Sequence, residues 1–133
     1  MKFGGTSLGD ITRIKSAAIK IKREISNGMS VVVVVSAMSG STNKLIQLVN
    51  NISKSYDSSE YDTVVSTGEQ VSSGLLAIAL QAIGLKAKSW SGWQIPILTD
   101  QHFGKANINE IKVNKIQDEL EKGSIPIISG FQG

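Results

Sequence analysis

The stretch SVVVVVSAM, Ser30–Met38, decides the fold. Its five consecutive valines, Val31–Val35, do not alternate with polar residues. An unbroken run of branched aliphatics reads as a strand covered on both faces, as in a parallel sheet flanked by helices. The run is far too short to cross a bilayer. The flanking sequence agrees. Upstream, Asp10 is placed to cap a helix running to about Asn27. That helix carries Ile11, Ile14, Ala18, Ile21 and Ile25 at three- and four-residue spacing, and Gly28 is its natural stop. Downstream, the small polar tail SAMSGSTNK (Ser36–Lys44) leads into a second helix with Leu45, Leu48, Val49 and Ile52 on one side.

Working outward, KSYDSSEY (Lys54–Tyr61) has no periodicity and reads as a surface connection. A third helix is expected over roughly Gly68–Ile83, with Val71, Leu75, Ile78, Ala79 and Ala82 facing inward and Gly84 ending it. KAKSW (86–90) and IPILTD (95–100) read as short extended pieces. Asn107 or Asn109 can cap a fourth helix bearing Val113, Ile116 and Leu120, stopped at Gly123. IPIIS (125–129) is a further buried strand. Strands alternating with helices predict an α/β domain with a mostly parallel sheet and right-handed crossovers.

Composition narrows the chemistry. The chain has 133 residues, of which 41% are apolar and only 5% aromatic. That suits one α/β domain able to bury a core. There is no cysteine and one histidine, His102, so disulfides, thiolate sites and histidine metal clusters are excluded. His102 and the two tryptophans, Trp90 and Trp93, read as structural residues. The net charge of +3 is spread along the chain, which gives no footprint for nucleic acid. The glycine-rich, polar first ten residues do not read as a signal peptide, so a soluble cytoplasmic protein is the expectation.

Three segments carry candidate chemistry. Lys2-Phe3-Gly4-Gly5-Thr6-Ser7 combines a cation with two glycines whose amides can approach phosphate oxygens closely. A helix starting near Asp10 would add its N-terminal dipole. The same pattern also serves an ordinary glycine turn, and it matches neither a Walker A loop nor a dinucleotide fingerprint. Ser36, Ser39, Ser41, Thr42 and Asn43 gather hydroxyls and an amide at the C-terminal end of the valine strand, where open α/β sheets bind ligands. Helix capping is their alternative employment. Ser66-Thr67-Gly68-Glu69-Gln70 places a carboxylate in a first helical turn. That carboxylate suits either the helix dipole or a substrate ammonium group, and spacing alone does not decide.

Taken in series, KFGGTS, SAMSGSTN, STGEQVSSGLLAIAL, GWQIPILTD, HFGKANI and IPIISGFQG resemble aspartate kinase, nearest the monofunctional bacterial type, over essentially all 133 residues. The resemblance implies the amino-acid kinase fold, a three-layer α/β/α sandwich. It implies phosphoryl transfer from ATP, with Mg²⁺ on the phosphates, to the side-chain carboxylate of L-aspartate. The resemblance implies that this is the first step of lysine, threonine and methionine synthesis. By likeness, Lys2 would steady the transferred group, Phe3, Gly4, Gly5 and Ser36 would line the phosphate side, Thr42 and Asn43 would help hold aspartate, and Glu69 would bind its ammonium. No metal ligand, nucleic-acid partner or membrane contact is implied.

Members of that family have several strand residues ahead of the lysine. They continue past GFQG into a Thr-Thr-Leu-Gly-Arg-Gly-Gly-Ser-Asp segment, the nucleotide-base site and two ACT domains. Residues 1–133 therefore read as an N-terminal lobe incomplete at both ends. The expectation is little activity in isolation, and a homo-oligomer or a completing chain segment to cover the sheet. Two other readings stay open: a kinase for a related substrate such as glutamate or carbamate, and a non-catalytic interaction module derived from a kinase.

Overall fold

The computed structural model describes residues 1–101 and 107–131. Strand β1 (Lys2–Phe3) leads through a 3-10 turn (Gly5–Leu8) into α1 (Ile11–Ser26). Next come β2 (Val33–Val35), α2 (Ser41–Ile52), α3 (Ser58–Ala82) and β3 (Ala87–Trp90). A turn at Gly92–Gln94, β4 (Ile97–Thr99), β5 (Ile108–Ile111), α4 (Asn114–Glu121) and β6 (Ile125–Ser129) complete the order. His102 lies outside the described residues.

The main sheet has strand order β1-β2-β6-β3, and every neighbouring pair is parallel. Successive residues of a strand face opposite sides, so β2 sorts its valines into two layers. Val31, Val33 and Val35 join Ile125, Ile127 and Ala87 in a core with Ile14, Ile21, Leu76 and Leu80 of α1 and α3. Val32 and Val34 pack on the other side with Trp90, Ile128 and Ile116 of α4. The result is the expected three-layer α/β/α sandwich. The first face is sealed, with Val33, Val35 and Ile127 fully buried. The second is less completely covered, since Val32 and Val34 are only half-buried.

Three of the helix stops follow the glycine rule. Gly28, Gly84 and Gly123 all take positive φ. After each, the next residue's N–H closes back on an earlier carbonyl: Met29 on Glu24, Leu85 on Leu80 and Ser124 on Glu119. This is the left-handed glycine ending that satisfies the last carbonyls of a helix.

The structure corrects the sequence reading at several points. Helix α3 begins at Ser58, so the second half of the expected surface connection is helix. Asp57 caps it, accepting the Ser59 N–H at 2.8 Å and the Ser59 hydroxyl at 2.6 Å. These bonds, the hydroxyl's first, hold the Asp57 carboxyl below its ordinary range. The inward face of α3 is also rotated. Val65, Gly68, Ser72, Ser73, Leu76, Ala77 and Leu80 are buried, whereas Val71 and Ile78 are exposed. Ser72 and Ser73 face inward because each hydroxyl donates to its own helix, to the Gly68 and Gln70 carbonyls. Ile11 of α1 and Leu48 and Ile52 of α2 are likewise exposed. The fourth helix starts only at Asn114, because 108–111 pairs antiparallel with β4. Trp90 is core, as its reading implied, and Trp93 is exposed. Among the described residues no helix is long and apolar enough to cross a membrane.

Candidate functional site

Because the four strands are parallel, their C-terminal ends leave the sheet along one edge. The chain segments after β1, β2 and β6 therefore meet there by topology, as ligand-binding loops do in open α/β sheets. Lys2 pairs in register with Val34, and Phe3 with Val35. Phe3 is buried in the α1/α3 core, so Lys2 points to the opposite face, where it is exposed. The Ser36 N–H donates to the Phe3 carbonyl at 3.0 Å and holds the two strand exits together.

The two glycines after β1 do different things. A Cβ on Gly5 would lie 2.8 Å from the Ala37 carbonyl oxygen, so the β1 and β2 loops can touch only because Gly5 has none. A Cβ on Gly4 would meet nothing within 4 Å; this glycine borders open space beside Lys2. Arg13, which the sequence reading passed over, fastens the turn that follows. Its guanidinium donates to the Thr6 carbonyl and sits 3.5 Å from the Asp10 carboxylate. The helix dipole anticipated for this loop is elsewhere. The 3-10 turn separates Gly5 from α1, and the α1 terminus is already met by Asp10, which accepts the Arg13 N–H at 2.8 Å.

The polar run after β2 also resolves. The N-cap of α2 is Gly40, with φ of 78° and no side-chain bond. Capping at that position is thus not what Ser36, Ser39, Ser41 and Thr42 are there for. Ser36 and Thr42 are half-buried at this edge, and Asn43 is exposed on the first turn of α2. Helix α3 reaches the same place through Gly68. A Cβ there would stand 3.0 Å from the Ala37 Cβ and 4.0 Å from the Ser41 Cβ. The next residue, Glu69, is therefore delivered beside the start of α2, in the middle of a long helix rather than in a first turn.

Glu69 meets the third strand exit as well. The Phe131 N–H donates to its carboxylate Oε2. The Gly130 N–H donates to the Val35 carbonyl at 2.9 Å. A Cβ on Gly130 would fall 2.9 Å from that carbonyl oxygen and 3.2 Å from Glu69 Oε2. Sequence reasoning quoted the GFQG segment but assigned no role to Gly130 or Phe131; only the tertiary contact reveals one. The edge thus gathers an exposed ammonium, an open glycine, hydroxyls and a half-buried carboxylate. That set can hold an anion on one side and a cation on the other. At the opposite edge, a shallow groove is lined by Leu85, Lys86, Lys88, Glu119 and Lys122. Glu119 lies 3.8 Å from Lys88 and 3.9 Å from Lys122 there. Among the described residues, no cluster of three or more His, Cys, Asp or Glu side chains gathers.

Known proteins resemble this chain in sequence and fold. The chain is 47% identical over 135 residues to an aspartokinase of Rickettsia felis, matching 99% of this chain and 34% of that protein. It is 46% identical over 132 residues to aspartokinase 2 of Bacillus subtilis, matching 99% of this chain and 32% of that one. The structure of aspartate kinase from Synechocystis superposes with a TM-score of 0.82 at 40% identity, covering 97% of this chain and 21% of that chain. E. coli aspartokinase III, solved with aspartate and ADP, shares the fold at a TM-score of 0.76 and 20% identity, covering 97% and 39%. The chain thus spans about one third of the length of the curated relatives it matches. The sequence profile of the amino acid kinase family matches residues 1–133 from end to end, and the chain belongs to that family.

Proposed function

We propose that this chain forms the aspartate and phosphate side of an aspartate kinase site. The reaction is transfer of the γ-phosphoryl group of ATP to the side-chain carboxylate of L-aspartate, giving 4-phospho-L-aspartate and ADP. The observation that carries the reading is the placement of Glu69. Its half-buried carboxylate sits where three strand exits meet, on the same edge as the glycine pair and Lys2. Likeness to aspartokinases along the whole chain supports the choice of substrate.

ATP with Mg²⁺ would supply the phosphoryl group and part of the charge neutralisation. The residues present fit such a ligand: the space outside Gly4 is open and the Lys2 side chain is exposed beside it. Phe3 anchors the β1 exit from the core, Gly4 and Gly5 let the backbone approach phosphate oxygens, and Ser36 lines the same side. Lys2 stabilises negative charge developing on the transferred group. Thr42 and Asn43 help hold the amino acid, and Glu69 takes its ammonium. A carboxylate ionised at neutral pH is already a nucleophile, so the site needs no general base. One carboxylate oxygen of aspartate bonds to phosphorus as the bond to the ADP oxygen breaks.

The test is trapping of the acyl phosphate with hydroxylamine. The native polypeptide carrying this sequence is incubated with MgATP and a panel of L-aspartate, L-glutamate, carbamate and succinate. Hydroxamate and ADP formed in equal amounts with L-aspartate alone are expected. Turnover of another panel member in its place, or none at all, contradicts the reading.

A further inference from the structure

We propose that the exit of β6, Gly130 with the Phe131 amide, is a positioning device for Glu69 that sets the preference for a substrate bearing an ammonium group. The inference rests on the aspartate kinase reading and deepens it. Glu69 is carried on the middle of α3, and its carboxylate extends from that helix to the sheet edge. Left alone, such a side chain samples several rotamers. Here Oε2 accepts the Phe131 N–H, a charge-assisted bond from the main chain. That leaves Oε1 to accept from a substrate ammonium in a fixed direction.

Gly130 makes the bond possible. Its own N–H continues the sheet by donating to the Val35 carbonyl at 2.9 Å, so this backbone is pinned by β2. Any side chain at Gly130 would stand 2.9 Å from that carbonyl and 3.2 Å from Glu69 Oε2, pushing the carboxylate off the amide. The donor is therefore fixed by a parallel strand pair and the acceptor by a helix packed on the same sheet. The clamp joins the two at the mouth of the site.

The experiment compares three forms of the native polypeptide: wild type, Phe131→Pro and Phe131→Ala. Proline removes the N–H but leaves Gly130 in place, whereas alanine removes the ring and keeps the N–H. Each is titrated calorimetrically with L-aspartate and with succinate, which lacks the ammonium group. The Pro variant is expected to lose about tenfold or more in affinity for L-aspartate, the size of a charge-assisted hydrogen bond, with succinate affinity unchanged. The Ala variant keeps the wild-type preference. Gly130→Ala is expected to follow the Pro variant if it folds. Equal behaviour of the Pro and Ala variants overturns the inference, as does a Pro variant that weakens both ligands alike. A wild type that does not prefer L-aspartate to succinate overturns the aspartate reading, and this inference with it.

Discussion

Two adjacent glycines, Gly4 and Gly5, have opposite reasons to be glycine, and mutation separates them. Gly5→Ala would drive a Cβ to 2.8 Å from the Ala37 carbonyl, where backbone faces backbone and no flexible side chain can yield. It is expected to destabilise the fold by about 1–3 kcal/mol, read as a lower urea midpoint. Gly4 has φ of −77°, which alanine adopts readily, and its Cβ would meet nothing within 4 Å. Gly4→Ala should therefore leave the urea midpoint within about 0.5 kcal/mol of wild type. Its effect falls on MgATP affinity instead, because the methyl group occupies the space assigned to phosphate. Lys2→Met removes an exposed charge from the same place. It should lower the phosphoryl-transfer rate by about 10²–10³-fold with L-aspartate affinity retained. The sequence displayed the glycine pair and the lysine plainly. Which glycine touches what was hidden, since the answer lies in the loop after a different strand.

At the scale of elements, α3 is the instructive case. Its length was underestimated because Asp57-Ser58-Ser59-Glu60 looked like a polar connection, although an Asp followed three residues later by Glu before an apolar run is a helix-start pattern. Its phase was misread because the inward stripe was drawn through the apolar residues Val71 and Ile78. Ser72 and Ser73 bury well since their hydroxyls bond within the helix, and this shifts the apolar stripe from Val71 and Ile78 to Leu76 and Leu80. The corrected phase predicts that Leu80→Ala destabilises by about 2–5 kcal/mol, while Ile78→Ala stays within about 0.5 kcal/mol. Chemical denaturation of the pair distinguishes the two phases. The start of α3 carries a pH signature. Asp57 is held below its ordinary carboxyl range by Ser59. Its contribution is therefore fully present above the unfolded carboxyl pKa and is lost as pH falls through the lower, folded value. Denaturation midpoints across acidic pH should show this loss in wild type. Asp57→Asn, which keeps a capping oxygen without the titration, should show less of it.

At the scale of the whole molecule, the alternation of helices and strands was legible because it is written locally, in periodicity and glycine stops. The strand order β1-β2-β6-β3 was not, because it depends on which buried strands find each other. That order is what creates the site. Inserting β6 between β2 and β3 brings Gly130 and Phe131 against Val35 and Glu69, and pairing β1 with β2 brings Gly5 against Ala37. The motifs were visible one by one; their convergence is a property of the sheet. It also separates two edges of different character: a mixed-charge glycine-rich edge at the strand C-termini, and a lysine-rich groove with Glu119 at the other end. The central claim is that the substrate amino acid binds at the first of these. The most direct measurement follows the backbone amide resonances of the isotopically labelled native polypeptide during titration with L-aspartate. The account predicts saturable shifts concentrated at Gly4, Gly5, Ser36–Asn43, Glu69 and Phe131, with Leu85–Lys88 and Lys122 unmoved. Shifts centred on the lysine groove, or no saturable shifts at the strand exits, would contradict it.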